Sequence, residues 1–277
     1  MTTAPTLADI ERARTEIAPH IERTPLLTPL RLAERLGVDL RVKAEGLQRT
    51  GSFKVRGAVN AIAALAPEAR ARGIVTMSAG NHAVAVAYAA RAYGAPVVVA
   101  MPETAPRVKV EMTRAYGGRI EFAPDVTRLM PVVEQARERG MTFVHPFDDP
   151  LVIAGQGTVG LEIADDAPDL HLVVVPVGGG GLVSGIATAV RARLPSARVV
   201  AVEPAGAPKV RRSLDEGRIV RLERVDTIAD GCAPPYCGGI AFDVIRELVD
   251  DVVLVDDAAI ADAMRVVFDA VRVVVEP

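Results

Sequence analysis

Short apolar runs alternate along the chain with stretches whose apolar residues recur at helical spacing. Ile74–Thr76 reads as a strand and precedes an alanine-rich helix predicted from about Asn81 to Tyr93. Pro96–Ala100 is the next strand, followed by a helix opening near Pro106, where a first-turn proline is favoured. Arg119–Phe122 leads to a helix through Val133–Ala136, and Thr142–Val144 makes another short strand. Leu172–Val177 is apolar throughout and reads as a central parallel strand. The helix after it carries Leu182, Ile186, Val190 and Leu194 on one stripe and stops at Pro195. Val199–Val202 and Val252–Val255 complete the strands. This rhythm predicts an α/β fold with two open, mostly parallel sheets and helices on both faces. Crossings near Ala66–Pro67 and His145–Pro146 divide the chain into a large domain (1–68 and 148–277) and a small one (69–147).

Composition narrows the class. A net charge of −3, with no basic block, argues against nucleic acid as a partner. No apolar run reaches the roughly 18 residues of a membrane helix. The start lacks the basic and apolar regions of a signal peptide. Cys232 and Cys237 are spaced wrongly for a redox pair and have no second pair to complete a zinc site, so free thiols in the cytoplasm are expected.

The basic residues are unequal. Of 32, only Lys43, Lys54, Lys109 and Lys209 are lysines. Arginine carries charge as well as lysine does, but it cannot act as an amine nucleophile. Lys54, in Gly51-Ser-Phe-Lys-Val-Arg-Gly57, is therefore a candidate Schiff-base lysine, with pyridoxal phosphate (PLP) the cofactor it best suits. The alternative is a surface lysine near a helix start. Ser78-Ala-Gly-Asn-His82 lies between a strand and a helix, where backbone N–H groups face an anion such as a carboxylate. A plain N-cap is the other reading. Gly178-Gly-Gly-Gly-Leu182 follows a strand and can turn its N–H groups onto a phosphate. It has neither the Lys-Ser/Thr of a Walker loop nor the third glycine of a dinucleotide fingerprint, which leaves a small phosphorylated cofactor or a flexible turn. Ala154–Thr158 opens another helix, and Thr227–Gly231 marks a turn.

In order, Gly51–Ala58, Ser78–Ala83, Ile153–Thr158, Gly178–Leu182, Val202–Pro204 and Thr227–Gly231 resemble the motifs of fold-type II PLP enzymes, a fold like that of the tryptophan synthase β chain. The branch resembled is that of the serine/threonine dehydratases (ammonia-lyases) and serine racemases, from about Thr24 to the last residue, with Val55 a mild departure. The resemblance implies that Lys54 carries PLP, Phe53 lies near its ring and Asn81 bonds the ring hydroxyl. It also implies that Gly178, Gly179, Gly180, Gly181 and Leu182 hold the phosphate and that Gly231 lines the ring. Ser78, Ala79, Gly80, Asn81 and His82 would bind the substrate carboxylate. The implied protein is a homodimeric ammonia-lyase that converts threonine, serine or a related 3-hydroxy amino acid to a 2-oxo acid and ammonia.

Three positions depart from that pattern. Racemases of the branch place a serine where this chain has Ala79, so elimination is expected over racemisation. Some members bind a divalent cation through a glutamate, a carbonyl and a second acid. Glu203 and Ala207 match the first two, but Lys209 stands at the third, so no metal is expected. In the family a turn beyond the Glu276-Pro277 position bonds the pyridine nitrogen. No residue of this chain corresponds to it, which keeps open a non-catalytic truncated paralogue beside racemase or β-replacement activity.

Overall fold

The computed structural model describes residues 3–277. The first elements are α1 (Leu7–Ile17), β1 (Leu26–Leu27), α2 (Leu30–Leu36), β2 (Val42–Lys43), α3 (Lys54–Ala63) and α4 (Pro67–Arg72). Next come β3 (Ile74–Met77), α5 (Asn81–Ala92), β4 (Val97–Pro102), α6 (Arg107–Ala115), β5 (Arg119–Ala123), α7 (Leu129–Glu138) and β6 (Thr142–Phe143). The remainder forms α8 (Pro150–Asp166), β7 (Leu172–Pro176), α9 (Gly181–Arg193), β8 (Arg198–Pro204), α10 (Lys209–Glu216), α11 (Gly239–Leu248), β9 (Asp251–Val255) and α12 (Asp257–Val271).

Two parallel sheets result, as the alternation predicts: β5-β4-β3-β6 and β7-β8-β9. Strand β4 shows why the first is buried on both faces. Val97, Val99 and Met101 pack with the alanines of α5, while Val98 and Ala100 point the other way onto Leu129, Val133 and Ala136 of α7. Successive strand side chains alternate between faces, so an unbroken apolar run needs cover on both. In the second sheet Val173, Val175, Val199, Ala201 and Val252 pack against α9 and α11. A small antiparallel pair, β1 with β2, was not foreseen.

Two expectations fail. Leu172–Pro176 lies at the edge of its sheet, not its centre, with Leu172 and Val174 exposed. An apolar run reports side-chain character on both faces, not the number of neighbouring strands. The Ala154–Thr158 segment does not open a helix but sits inside α8, which begins where Asp149 caps Leu151 and Val152 ahead of Pro150. Its glycines serve packing. A Cβ on Gly155 would lie 2.6 Å from the Arg56 carbonyl oxygen, so α8 and α3 meet backbone to backbone. Among the described residues no helix is long and apolar enough to cross a membrane.

Candidate active site

Lys54 is the first residue of α3, and the fold fixes that start from behind. Arg56, fully buried, bonds Glu45, Glu162 and Thr158, and Glu162 also pairs with Lys43 at 2.6 Å. Each charge in this interior cluster has an opposite partner, which keeps burial tolerable and gives the helix one orientation. The Lys54 amine reaches away from the cluster and donates to the Pro146 carbonyl at 2.8 Å. Its nitrogen lies deep although the side chain is half-buried overall, and that desolvation pulls its pKa down to about 8.

The segment after β6 joins the pieces. Val144 O bonds Nε2 of His82, Pro146 O holds Lys54, and the Phe147 ring underlies the glycine loop. A Cβ on Gly179 would fall 2.2 Å from the Phe147 ring, and Gly180 has φ +96°, so side chains are excluded there by contact and by backbone strain. Gly178 also lies close to the Gly231 carbonyl, at 2.9 Å from an added Cβ. Lys54, His82, Gly179 and Gly181 thus converge around 144–148, and Gly231 joins them through its contact with Gly178. Phe53 lies beside the same amine, with Lys54 Nζ 5.3 Å from its ring centre.

Helix starts show where an anion fits. Carboxylates occupy the starts of α1 (Asp9 with Thr6), α8 (Asp149), α10 (Glu203), α11 (Asp148) and α12 (Asp256). Helices α5 and α9 begin at Gly80 and Gly180 with no side-chain cap. Both starts follow the carboxyl ends of parallel strands. Helices α2, α3, α4, α6 and α7 also start without a side-chain cap, but α5 and α9 start against the 144–148 segment that holds Lys54, so their N–H groups and positive dipole ends make a seat suited to a phosphate and a carboxylate. Buried histidines add no competing charge. His82 is held down to about 3 by burial and then by the Lys54 charge. His145 is held down to about 4 by burial, with Asp148 opposing and Lys54 adding to the effect.

The comparisons agree with this geometry. Residues 17–277 match the family model described as "Pyridoxal-phosphate dependent enzyme". The chain belongs to that family. An L-threonine ammonia-lyase of Geobacter sulfurreducens is 44% identical over 269 residues, 96% of this chain and 67% of that protein. A serine racemase of Oryza sativa subsp. indica is 41% identical over 270 residues, 97% of this chain and 79% of that protein. The structure of maize serine racemase superposes with a TM-score of 0.96 at 40% identity, covering 99% of this chain and 84% of that one. The cofactor of the family is pyridoxal phosphate, and the residues present fit it. A partly desolvated lysine amine stands by a glycine loop in which added side chains would collide, with an open helix start beyond.

For a pyridoxal-phosphate dependent enzyme some expected residues are otherwise engaged. The Ser78 hydroxyl accepts the Gly80 N–H at 3.1 Å, which shapes the loop and uses one of its donors. The Asn81 side chain donates to Glu276 and accepts from Lys109, whose Nζ also bonds Glu276 at 2.7 Å. Leu182, the second residue of α9, is half-buried and packs against the core of the second sheet. Sequence reasoning missed His145, Pro146, Phe147, Lys109 and Glu276. The scarcity of lysine pointed to Lys109; nothing local pointed to the 145–147 segment, whose role lies in contacts distant along the chain. No lysine is freely exposed: Lys43 and Lys209 are buried, and Lys54 and Lys109 are half-buried.

Proposed function

We propose that this chain is a PLP-dependent ammonia-lyase acting on L-threonine, L-serine or a related 3-hydroxy amino acid, with release of a 2-oxo acid and ammonia. The observation that carries the reading is the lowered pKa of Lys54 beside the uncapped glycine start of α9. Lys54 would hold the cofactor through its amine. The N–H groups of Gly178–Leu182 would receive the phosphate, Gly231 and Phe53 would flank the ring, and Asn81 would face the ring hydroxyl. When bound, the cofactor supplies an electron sink for the pair left when the substrate loses its Cα proton. The Ser78–His82 loop would receive the substrate carboxylate through its remaining N–H groups and so orient that Cα–H bond. The neutral amine of Lys54 would take the proton at Nζ, a role suited to a base with a pKa near 8. His82, neutral and bonded to Val144, would leave that proton on the lysine.

Ala79 favours elimination over racemisation. Its methyl group cannot deliver a proton to the opposite face of Cα, so only Lys54 serves as a base in this reading. The same reading divides the chain into a large domain of 1–68 and 148–277 and a small domain of 69–147, in a cytoplasmic homodimer. The free thiols Cys232 and Cys237 are compatible with a reducing compartment.

The test uses purified protein with added PLP. An absorption band above 400 nm, fixed by borohydride and lost in Lys54→Ala, is expected together with ammonia and 2-oxo acid release from threonine or serine, and with little D-serine. No band, or product formation unchanged in Lys54→Ala, refutes the enzyme reading. Substantial D-serine would move the assignment to racemase.

A further inference from the structure

Lys209 takes no part in the chemistry assigned to Lys54, yet it is one of four lysines and is fully buried. It begins α10, just after the loop that leaves β8. Its Nζ donates to the carbonyl oxygens of Cys232 at 2.8 Å, Ala207 at 3.3 Å and Val177 at 3.4 Å. Oε1 of Glu203 lies 3.1 Å away and is fully buried as well. Both Glu203 oxygens also receive backbone N–H groups, from Val210 at 2.8 Å and Arg211 at 3.0 Å. Four oxygens from four places in the chain thus surround one ammonium.

The origin of those oxygens matters more than the pairing. Val177 immediately precedes the glycine loop, and Cys232 immediately follows Gly231. Gly178 lies directly against the Gly231 carbonyl, so the glycine loop of the candidate cofactor seat and the 230–232 turn meet backbone to backbone. A buried ion pair costs several kcal/mol in desolvation and is a weak source of stability compared with well-packed apolar side chains. A central cation does what an apolar side chain cannot: it draws three carbonyl dipoles and a carboxylate toward one point. Carbonyl oxygens turned inward without a positive charge would repel one another and lack donors.

We propose that the Lys209 ammonium is a built-in cation that positions the cofactor seat, fixing the glycine loop against the 230–232 turn, and that its oxygen cage accepts a free monovalent cation once the ammonium is removed. Oxygens 2.8–3.4 Å from the centre are too far apart for magnesium, which demands about 2.0–2.1 Å, and suit an ion the size of potassium. The proposal rests on the reading of Gly178–Leu182 as the phosphate seat. Lys209 is a positioning residue and touches no reacting atom.

The test measures PLP affinity by absorbance titration in choline chloride and in KCl at equal ionic strength. Wild-type affinity should not depend on the salt. Lys209→Ala should bind PLP about tenfold more weakly in choline chloride, a loss of about 1.4 kcal/mol, and recover in KCl. The neutral pair Glu203→Gln with Lys209→Met should fold, bind weakly and gain nothing from KCl. The proposal is overturned if either variant binds within about twofold of wild type in choline chloride, or if KCl leaves the Lys209→Ala loss unmoved. If neither variant folds, lysine-selective 15N spectra of the wild-type protein decide. One slowly exchanging ammonium signal should persist in Lys54→Ala and, in wild type, shift on PLP addition; its absence or a fixed shift overturns the proposal. Wild-type protein that takes up no PLP refutes the cofactor reading and this proposal together, whereas normal uptake with unaffected variants overturns this proposal alone.

Discussion

At the scale of the residue, Lys54 gains its chemistry from position. An ordinary lysine at pH 7 holds the free amine in less than about one molecule in a thousand; with a pKa of about 8 the share is about a tenth. Burial is the main cause, with the nearby Cys232 thiol opposing it. The sign follows: the reactive form is deprotonated, so PLP uptake should speed up about tenfold per pH unit below pH 8 and level off above it. Stopped-flow absorbance across pH 6–9.5 checks this, and an uptake rate that falls with rising pH would contradict it.

At the scale of the element, glycines decide how closely helices approach. Gly155 lies against the backbone of Arg56 and Gly57, atoms that cannot swing aside as a side chain can. Gly155→Ala should lower stability by about 1–3 kcal/mol through overpacking, a fall of several degrees in Tm. Gly46→Ala meets only one ordinary contact at 3.6 Å and should change little; differential scanning calorimetry compares the two. Such contacts were illegible in the sequence. The strands of the first sheet were readable from runs such as Pro96–Ala100, because burial on two faces forces apolar side chains at every position; β7 and β9 were readable from equally apolar runs, although Val174 and Val253 are exposed on one face. The start of α8 was misplaced because its glycines resemble a loop until Asp149 and Pro150 are given their capping weight. Lys54 and the Gly178–Gly181 loop stood out by residue type alone. Phe147 did not, since its value lies entirely in what rests upon it.

At the scale of the whole molecule, one short connection couples the two sheets. Asp148, five residues past the end of β6, accepts from the N–H groups of Gly239 at 2.9 Å and Ile240 at 3.0 Å at the start of α11. That links the strand layer bearing the Ser78–His82 loop to the layer bearing the glycine loop. Asp148→Ala leaves two N–H donors unpaired and removes a charge from a helix start. A loss of about 1–3 kcal/mol is expected, with faster amide exchange at 238–241 than in β4. Exchange that stays unchanged there would show that the sheets are held together elsewhere.

The lysines bear on how such a protein lives with its own cofactor. Pyridoxal phosphate is an aldehyde and condenses with any accessible primary amine. Among the described residues the outer surface bears arginine, and every lysine is at least half-buried. Arginine forms no such adduct under ordinary conditions, so an excess of the aldehyde finds little on the exterior to modify. Stray condensation at lysine, the side reaction that PLP brings to lysine-rich proteins, is curtailed by residue choice, and the lysine placed for the cofactor is Lys54.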